Sequence, residues 1–312
     1  KMEIFIISFL SSISFIMLFN RVFLKNRITD SINDRSSHSV IATRTGGISI
    51  FTVVFLISIY YYLTPKDVYD FSILIPLAIM VLVGLYDDIY KVDFKLKFIF
   101  QIIAAKIIID NGYSIENLHG FLGVYELGRI LSQILTIFII IAIINAFNFI
   151  DGLDGLAISV FITFILMYEF FSKFNTSFTA LSNILIIAIL PLYYFNFRKK
   201  NKVFLGDSGS LFLGGLVSVY VVDILSVNYI IKPVFDVHKL VFIISILSYP
   251  IIDLIRVFFL RIYKGSSPFI ADKNHIHHFL VSKFKNHHTV VLIIILFTTL
   301  TTLMTQLIIN FL

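Results

Sequence analysis

Four groups of residues in this chain have side chains able to bind or polarise a substrate. Asp87 and Asp88 are adjacent carboxylates within Gly84-Leu85-Tyr86-Asp87-Asp88-Ile89-Tyr90-Lys91. Asn145, Asn148, Asp151 and Asp154 recur every third residue, a spacing that on a helix makes a contiguous, slowly rotating polar stripe. Gly206-Asp207-Ser208-Gly209-Ser210 opens an apolar run, so its backbone N–H groups and the Ser208 and Ser210 hydroxyls are expected to face an anion at a helix start. His275, His277 and His278 follow Asp272-Lys273-Asn274 in the longest basic stretch.

These residue types suit a hard, oxygen-ligated cation, with Mg²⁺ first and Mn²⁺ second. Mg²⁺ takes one or two protein ligands and leaves the rest of its shell to water and substrate phosphates. An open site of that kind beside basic residues implies phosphate chemistry. The chain has no cysteine, which excludes disulfides, thiolate metal sites and a cysteine nucleophile. Zinc fits the histidines poorly, because no His-Glu-x-x-His pattern occurs and adjacent histidines diverge by about 100° around a helix. Set among Arg256, Arg261, Lys264 and Lys273, they read as phosphate or nucleotide donors. His287-His288 lacks such company and reads as a solvated loop.

A lone Asp at the end of an apolar run is most simply a solvated helix end. The Asn145 to Asp154 stripe, with Gly152 and Gly155 loosening the backbone, asks for more than that. In the first basic loop, Asn33-Asp34-Arg35-Ser36-Ser37-His38 and Thr43-Arg44-Thr45-Gly46-Gly47 combine anion donors with a permissive helix entry. Asp253 is expected to pair with Arg256 three residues on, and Asp223 to be a buried hydrogen-bonding residue.

The elements that position these groups are membrane spans. Hydrophobic residues make up 58% of the 312 and charged residues 14%, with a mean hydropathy of +0.94; a soluble domain carries about 45–50% and about 25%. Uncharged apolar runs of roughly twenty residues match a hydrocarbon core of about 30 Å. Ten spans are read, near 3–20, 46–63, 71–86, 97–110, 129–147, 155–172, 177–195, 211–227, 239–260 and 289–311. The fold class expected is all-α: a polytopic membrane protein whose residues 1–312 form a single catalytic domain. The first run reads as a helix rather than a cleaved signal, since its basic residues follow the apolar stretch.

Loops 21–44, 87–97, 196–210 and 256–288 hold 18 of the 25 Lys and Arg residues. The positive-inside rule places these loops in the cytoplasm and, with ten spans, both termini outside. The formal charge of +6 is thereby accounted for without nucleic acid. The four chemical groups fall on this same side, while outer linkers such as Thr64-Pro65-Lys66 are mostly short.

Taken in order, these motifs resemble a known family, the polyprenyl-phosphate N-acetylhexosamine-1-phosphate transferases. The match runs from Arg35-Ser36-Ser37-His38 and Arg44-Thr45-Gly46-Gly47 through Asp87-Asp88, the Asn145 to Leu156 segment and Gly206 to Ser210, to Asp253, Arg256 and His275-Ile276-His277-His278. The His-Ile-His-His sequence after Asp272 resembles the branch that starts teichoic acid, common antigen and O-antigen synthesis; the peptidoglycan-precursor branch shows three consecutive histidines. The resemblance implies a bacterial plasma-membrane enzyme that transfers a sugar-1-phosphate, with GlcNAc-1-phosphate foremost, from a UDP-sugar to undecaprenyl phosphate and releases UMP. It implies Asn148 and Asp207 as Mg²⁺ ligands and Lys97, with Lys91 second, as the lysine on the pyrophosphate. Asp87, Asp88, Asp151 and Asp154 are the catalytic candidates. Asn145, Arg44, Arg256, Ser208, Ser210, His275, His277 and His278 would contact substrate, and a homodimer is compatible with the sequence.

Two rivals remain at this level. A secondary transporter would place its acids near the bilayer midplane on broken, repeated helices, whereas these lie at span ends with no evident repeat. A hydrolase of polyprenyl pyrophosphate would use the same lipid and metal. The topology is directly testable because the chain contains no native cysteine. Ser37→Cys and Ser266→Cys are expected to resist a membrane-impermeant thiol reagent in intact cells and to react after lysis; labelling of either before lysis overturns the assigned orientation.

Overall fold

The computed structural model describes residues 2–30, 41–64, 68–235, 238–265 and 274–308. Arg35 to His38, Asp272 and Lys273 lie outside them. The described residues are mostly helical and form two compact units, residues 1–104 with 177–213 and residues 105–176 with 214–312.

The first unit contains α1 (Met2–Lys25), α2 (Gly46–Leu63), α3 (Leu74–Tyr90) and most of α4 (Phe94–Asp110). Later in the chain, α7 (Thr179–Phe197) and the first part of α8 (Gly206–Leu225) belong to it as well. α1 packs on α2 and α7, where the Ser12 hydroxyl donates to the Ala188 carbonyl at 2.6 Å. Two-residue strands, β1 (Ala42–Thr43) and β4 (Lys202–Val203), pair in parallel. The zipper continues through Phe204 N–H to Thr43 O, Gly46 N–H to Phe204 O and Gly47 N–H to Leu205 O, at 2.8, 2.9 and 2.9 Å. The loop bearing Arg44 is thus fixed to the segment that leads into α8.

The second unit holds a hairpin of β2 (Asn117–Phe121) and β3 (Val124–Glu126), then α5 (Arg129–Ile150) and α6 (Leu156–Phe171), followed by the remainder of α8. It is completed by α9 (Lys239–Ile246), α10 (Ser248–Tyr263), α11 (Ile276–Phe284) and α12 (His287–Ile308). α9 and α10 meet at a 75° bend. Within the described residues the predicted runs fall on helices, the ninth on this bent pair. Among the described residues, seven helices are long and apolar enough to cross a membrane, or eight with the bent pair as one span. α6 is apolar but only 16 residues long, and α4 has 17 residues that include Lys95, Lys97, Lys106 and Asp110. Side chains such as Ile130, Phe138, Leu82 and Phe259 stay more than 60% exposed, a surface suited to lipid. The chain is a multi-pass membrane protein.

The small strands depart from an all-α reading. Two-residue strands leave no periodicity to read, and the hairpin turns on Gly120 and Gly123, both at positive φ, in a stretch read as a linker.

α8 is buried along nearly its whole length, whereas α1 and α12 expose most of theirs. Lipid tails give apolar helices little reason to associate, so packing relies on close backbone approach at small residues. A Cβ added at Gly84 would stand 2.5 Å from the Asp207 carbonyl, and one at Gly47 would stand 2.0 Å from the Gly209 nitrogen. Gly84→Ala is therefore expected to lower the unfolding temperature in detergent, at about the 1–3 kcal/mol typical of overpacking. Gly128→Ala, where nothing lies within 4 Å, should be close to neutral; equal melting curves for wild type and Gly84→Ala would remove the close-approach argument.

Candidate active site

In the first unit the chemical residues converge on the start of α8. Gly206 has φ +75°, a left-handed conformation that favours glycine, and a Cβ there would lie 2.7 Å from an Asp88 carboxylate oxygen. Asp88, with a side chain 0% exposed, accepts the Asp207 N–H at 2.9 Å on one oxygen and the Ser208 N–H at 3.0 Å on the other. These amides are orphan donors of the first helical turn, and a carboxylate also suits the positive end of the helix dipole. Arg44 lies 3.6 Å from Asp88 and 2.8 Å from Asp30. The α8 amides expected to face an external anion are therefore occupied by Asp88.

One helical position earlier, Asp87 accepts the Val92 N–H at 2.5 Å and forms an ion pair with Lys97 at 2.6 Å. The same ammonium pairs with Asp207. Asp87, Lys97 and Asp207 are each partly exposed, at 13, 18 and 21%, so the bridge is open to a ligand while Asp88 behind it is not. Lys91 ends α3 and lines a cavity of about 150 Å³ with Asp30, Arg44 and Asp88. Ser208 and Ser210 are fully buried; the Ser210 hydroxyl points to the Asp207 carbonyl at 3.4 Å.

In the second unit α5 ends at Ile150, so Asn145 and Asn148 lie on the helix while Asp151 and Asp154 occupy the turn before α6. Gly155, at φ +72°, leads into α6. All four polar positions are half-buried between buried Ala146, Phe147, Ile150 and Leu153. The Asn145 amide donates to the Ile141 carbonyl at 2.8 Å.

Asp253, 0% exposed, accepts the Ile276 N–H at 2.7 Å and faces His275 Nδ1 at 2.7 Å. It caps the start of α11 and orients the first histidine. The expected Asp253 to Arg256 pair is corrected: Arg256 donates to the Asn274 carbonyl at 2.5 Å, and the more favourable partner for a buried carboxylate is the helix start beside it. His277 is fully buried, with Nδ1 3.1 Å from the Tyr249 hydroxyl. Its Nε2 has no hydrogen-bond partner and faces Gly152, where a Cβ would stand 2.8 Å away. Burial, and then His278 and His275, push the His277 imidazole down to about 3, so it is a neutral hydrogen-bonding group and not a cation. The solvated reading of His287 is also corrected, because its Nδ1 lies 2.8 Å from an Asp154 oxygen.

Among the described residues no three His, Asp or Glu side chains stand ready as a metal cage. What both units share is a buried aspartate that caps a helix whose first turn carries polar side chains.

Comparison with known proteins decides the family. Residues 70–225 match the model described as glycosyl transferase family 4. The chain is 32% identical over 303 residues to a probable undecaprenyl-phosphate N-acetylglucosaminyl 1-phosphate transferase of Bacillus subtilis (strain 168), covering 94% of this chain and 80% of that one. It is 35% identical over 272 residues to an undecaprenyl-phosphate alpha-N-acetylglucosaminyl 1-phosphate transferase of Haemophilus influenzae, covering 81% and 72%. It is 31% identical over 288 residues to a decaprenyl-phosphate N-acetylglucosaminephosphotransferase of Mycobacterium tuberculosis (strain H37Rv), covering 84% and 71%. The chain belongs to glycosyl transferase family 4.

The family segment takes in Asp87, Asp88, Lys97, Asn145, Asn148, Asp151, Asp154 and Asp207, while Arg44, Asp253 and the histidines lie beyond it. Asp30, Tyr249 and His287 are additions made by the structure. No local pattern marks them, since each meets its partner only through tertiary packing.

The His277 environment has a pH consequence. Its folded-state pKa lies below the usual 6.5, so between about pH 3 and pH 6.5 the unfolded chain binds a proton that the folded one does not, and stability falls on acidification through that window. Thermal unfolding in detergent is expected to shift down from pH 7 to pH 5 by less in His277→Gln than in wild type. Parallel shifts in the two proteins would show that the imidazole is not held neutral by the fold.

Proposed function

We propose that this protein transfers N-acetylglucosamine-1-phosphate from UDP-N-acetylglucosamine to undecaprenyl phosphate, on the bacterial plasma-membrane face that carries the basic loops. A phosphate oxygen of the acceptor attacks the sugar-bearing phosphorus of the donor, the bond from that phosphorus to the bridging oxygen breaks, and UMP leaves with that oxygen. The other product is a lipid-linked pyrophosphoryl sugar. The names of the relatives support the sugar and the carrier. The observation that carries the reading is the partly exposed Lys97 ammonium seated between Asp87 and Asp207, on a helix start locked by Asp88.

A divalent cation belongs to this reading. The first-unit group offers oxygen donors and sets the carboxylates Asp30, Asp87, Asp88 and Asp207 against the cations Arg44 and Lys97. Such an open set of oxygen donors, without a closed cage among the described residues, fits Mg²⁺ or Mn²⁺ completing its shell with water and phosphate oxygens. Asp207 would hold the ion, and the family resemblance gives Asn148 the same role. Bound there, it would supply neutralisation of the donor pyrophosphate and of charge growing on UMP.

The protein's own groups do the rest. Lys97 is the cation placed to meet a donor phosphate oxygen. Asp88, with both oxygens on backbone amides, positions Asp207, and no proton acceptor is required of it. Asp87 needs no such role either, because a phosphate monoester with a second pKa of about 6 is mostly ionised at pH 7; it holds Lys97. The neutral His277 offers a hydrogen bond, while Asp151 and Asp154 would hold basic groups or the nucleotide.

The test is UMP release by purified protein supplied with Mg²⁺ and a panel of UDP-sugars, with and without undecaprenyl phosphate. UDP-N-acetylglucosamine is expected to give UMP only when the acceptor is present; no release with any donor rejects the reading. Asp207→Asn should lower kcat at least about 100-fold, the size typical of losing one group that stabilises transition-state charge, while eluting as folded protein. Substantial Mg²⁺-dependent turnover in that variant would remove Asp207 from the metal site.

A further inference from the structure

We propose that His287 is a positioning residue for Asp154, and that α11 and the start of α12 clasp the turn after α5 at two points. This rests on the transferase reading above and adds a residue to it. The first point of the clasp is His277, whose buried Nε2 faces Gly152. The second is His287, whose Nδ1 lies 2.8 Å from Asp154 Oδ2, the two side chains being 21% and 11% exposed.

The local structure fixes His287 with unusual definition for a residue between two helices. α11 ends at Lys285, which has φ +54° and donates its N–H to the Val281 carbonyl at 2.8 Å. Asn286 then caps α12, its side chain accepting the His288 N–H at 2.9 Å and its carbonyl the Val290 N–H at 3.2 Å. His287 is the first residue of α12, so a two-residue junction and a cap set its direction. The other end of α11 is tied down by Asp253. Both ends of the short helix are therefore anchored, and His277 near its start and His287 at the start of α12 bear on residues 152 and 154 of one turn. That turn carries Asp151 as well, so holding it sets where two of the candidate carboxylates point.

The geometry requires a hydrogen on Nδ1, because a carboxylate oxygen only accepts. An asparagine at 287 places an amide N–H close to that nitrogen, whereas alanine places nothing there. This difference separates a hydrogen-bonding role from simple packing.

The experiment compares wild type, His287→Ala, His287→Asn and Asp154→Asn, together with the double variant of His287→Ala and Asp154→Asn, in the UMP-release assay. Monodispersity and melting temperature are read alongside. His287→Ala is expected to lower kcat/KM by about 10- to 100-fold, the range seen when partners that orient a site residue are removed. His287→Asn should recover most of that loss. In the Asp154→Asn background, His287→Ala should add less than about threefold, since groups in one network are not additive. His287→Ala at wild-type activity overturns the proposal, as does an asparagine variant as impaired as the alanine one, or full additivity in the double variant. If His287→Ala does not fold, a folded His287→Asn decides alone: activity near wild type supports the role and activity as low as Asp154→Asn overturns it. Failure of the transferase reading looks different, because wild type itself then releases no UMP.

Discussion

The first amides of a helix have no partner within the helix, and in each unit a buried aspartate from elsewhere in the chain supplies one. Asp88 takes two amides of α8, and Asp253 takes one amide of α11 together with the ring of His275. A carboxylate that is 0% exposed would be severely penalised without such donors. Charge-assisted hydrogen bonds to it are worth about 1.5–3 kcal/mol each. The two halves need each other: the helix start needs an acceptor, and the buried charge needs donors. Asp207 and His275 are aimed by that mutual requirement, since each lies at the capped turn.

Capping fixes direction only if the helices also approach closely, and this is what the glycines provide. Gly84 lies one helical turn before Asp88, so the contact that brings α3 onto the α8 backbone also brings the carboxylate to the α8 amides. Gly47 does the same from α2, with the β1–β4 zipper holding Arg44 behind Asp88. Lys97, Asp87 and Asp207 then meet on the solvent side of a rigid wall. Such preorganisation is what a phosphoryl-transfer site asks of its protein, because little covalent chemistry falls to the side chains.

Much of this was legible in residue types and apolar length. Among the described residues seven helices, or eight with the bent pair, are long and apolar enough to span a membrane, because a long apolar run in lipid has few alternatives to a helix. Asp87, Asp88 and Asp207 stood out because charges at span ends are scarce. Their division of labour was not legible: neighbours in sequence, Asp87 and Asp88 point to different partners, and only tertiary structure separates the open carboxylate from the capping one. For the same reason Asp253 reads as a partner of Arg256 at helical spacing, yet goes to His275 and Ile276, which the chain brings back from 22 and 23 residues away. Asp223, expected to be a buried hydrogen-bonding residue, is half-buried and accepts from the Tyr168 hydroxyl at 2.5 Å. The β1–β4 pairing joins segments about 160 residues apart in register, too short and too distant to leave a pattern.

The helix that carries Asp207 is held at both ends by polar contacts. In the first unit Asp88 fixes its start, and in the second Tyr168 fixes Asp223 near its end, beside the stacked ring of Tyr229. Between them, a Cβ at Gly214 would stand 2.7 Å from the Ile144 Cα, so the middle is set by backbone contact as well. A helix constrained in this way can neither slide nor rotate without breaking several contacts at once. The contacts that place the Asp207 carboxylate are then the same ones that hold the fold, and the two cannot be varied independently.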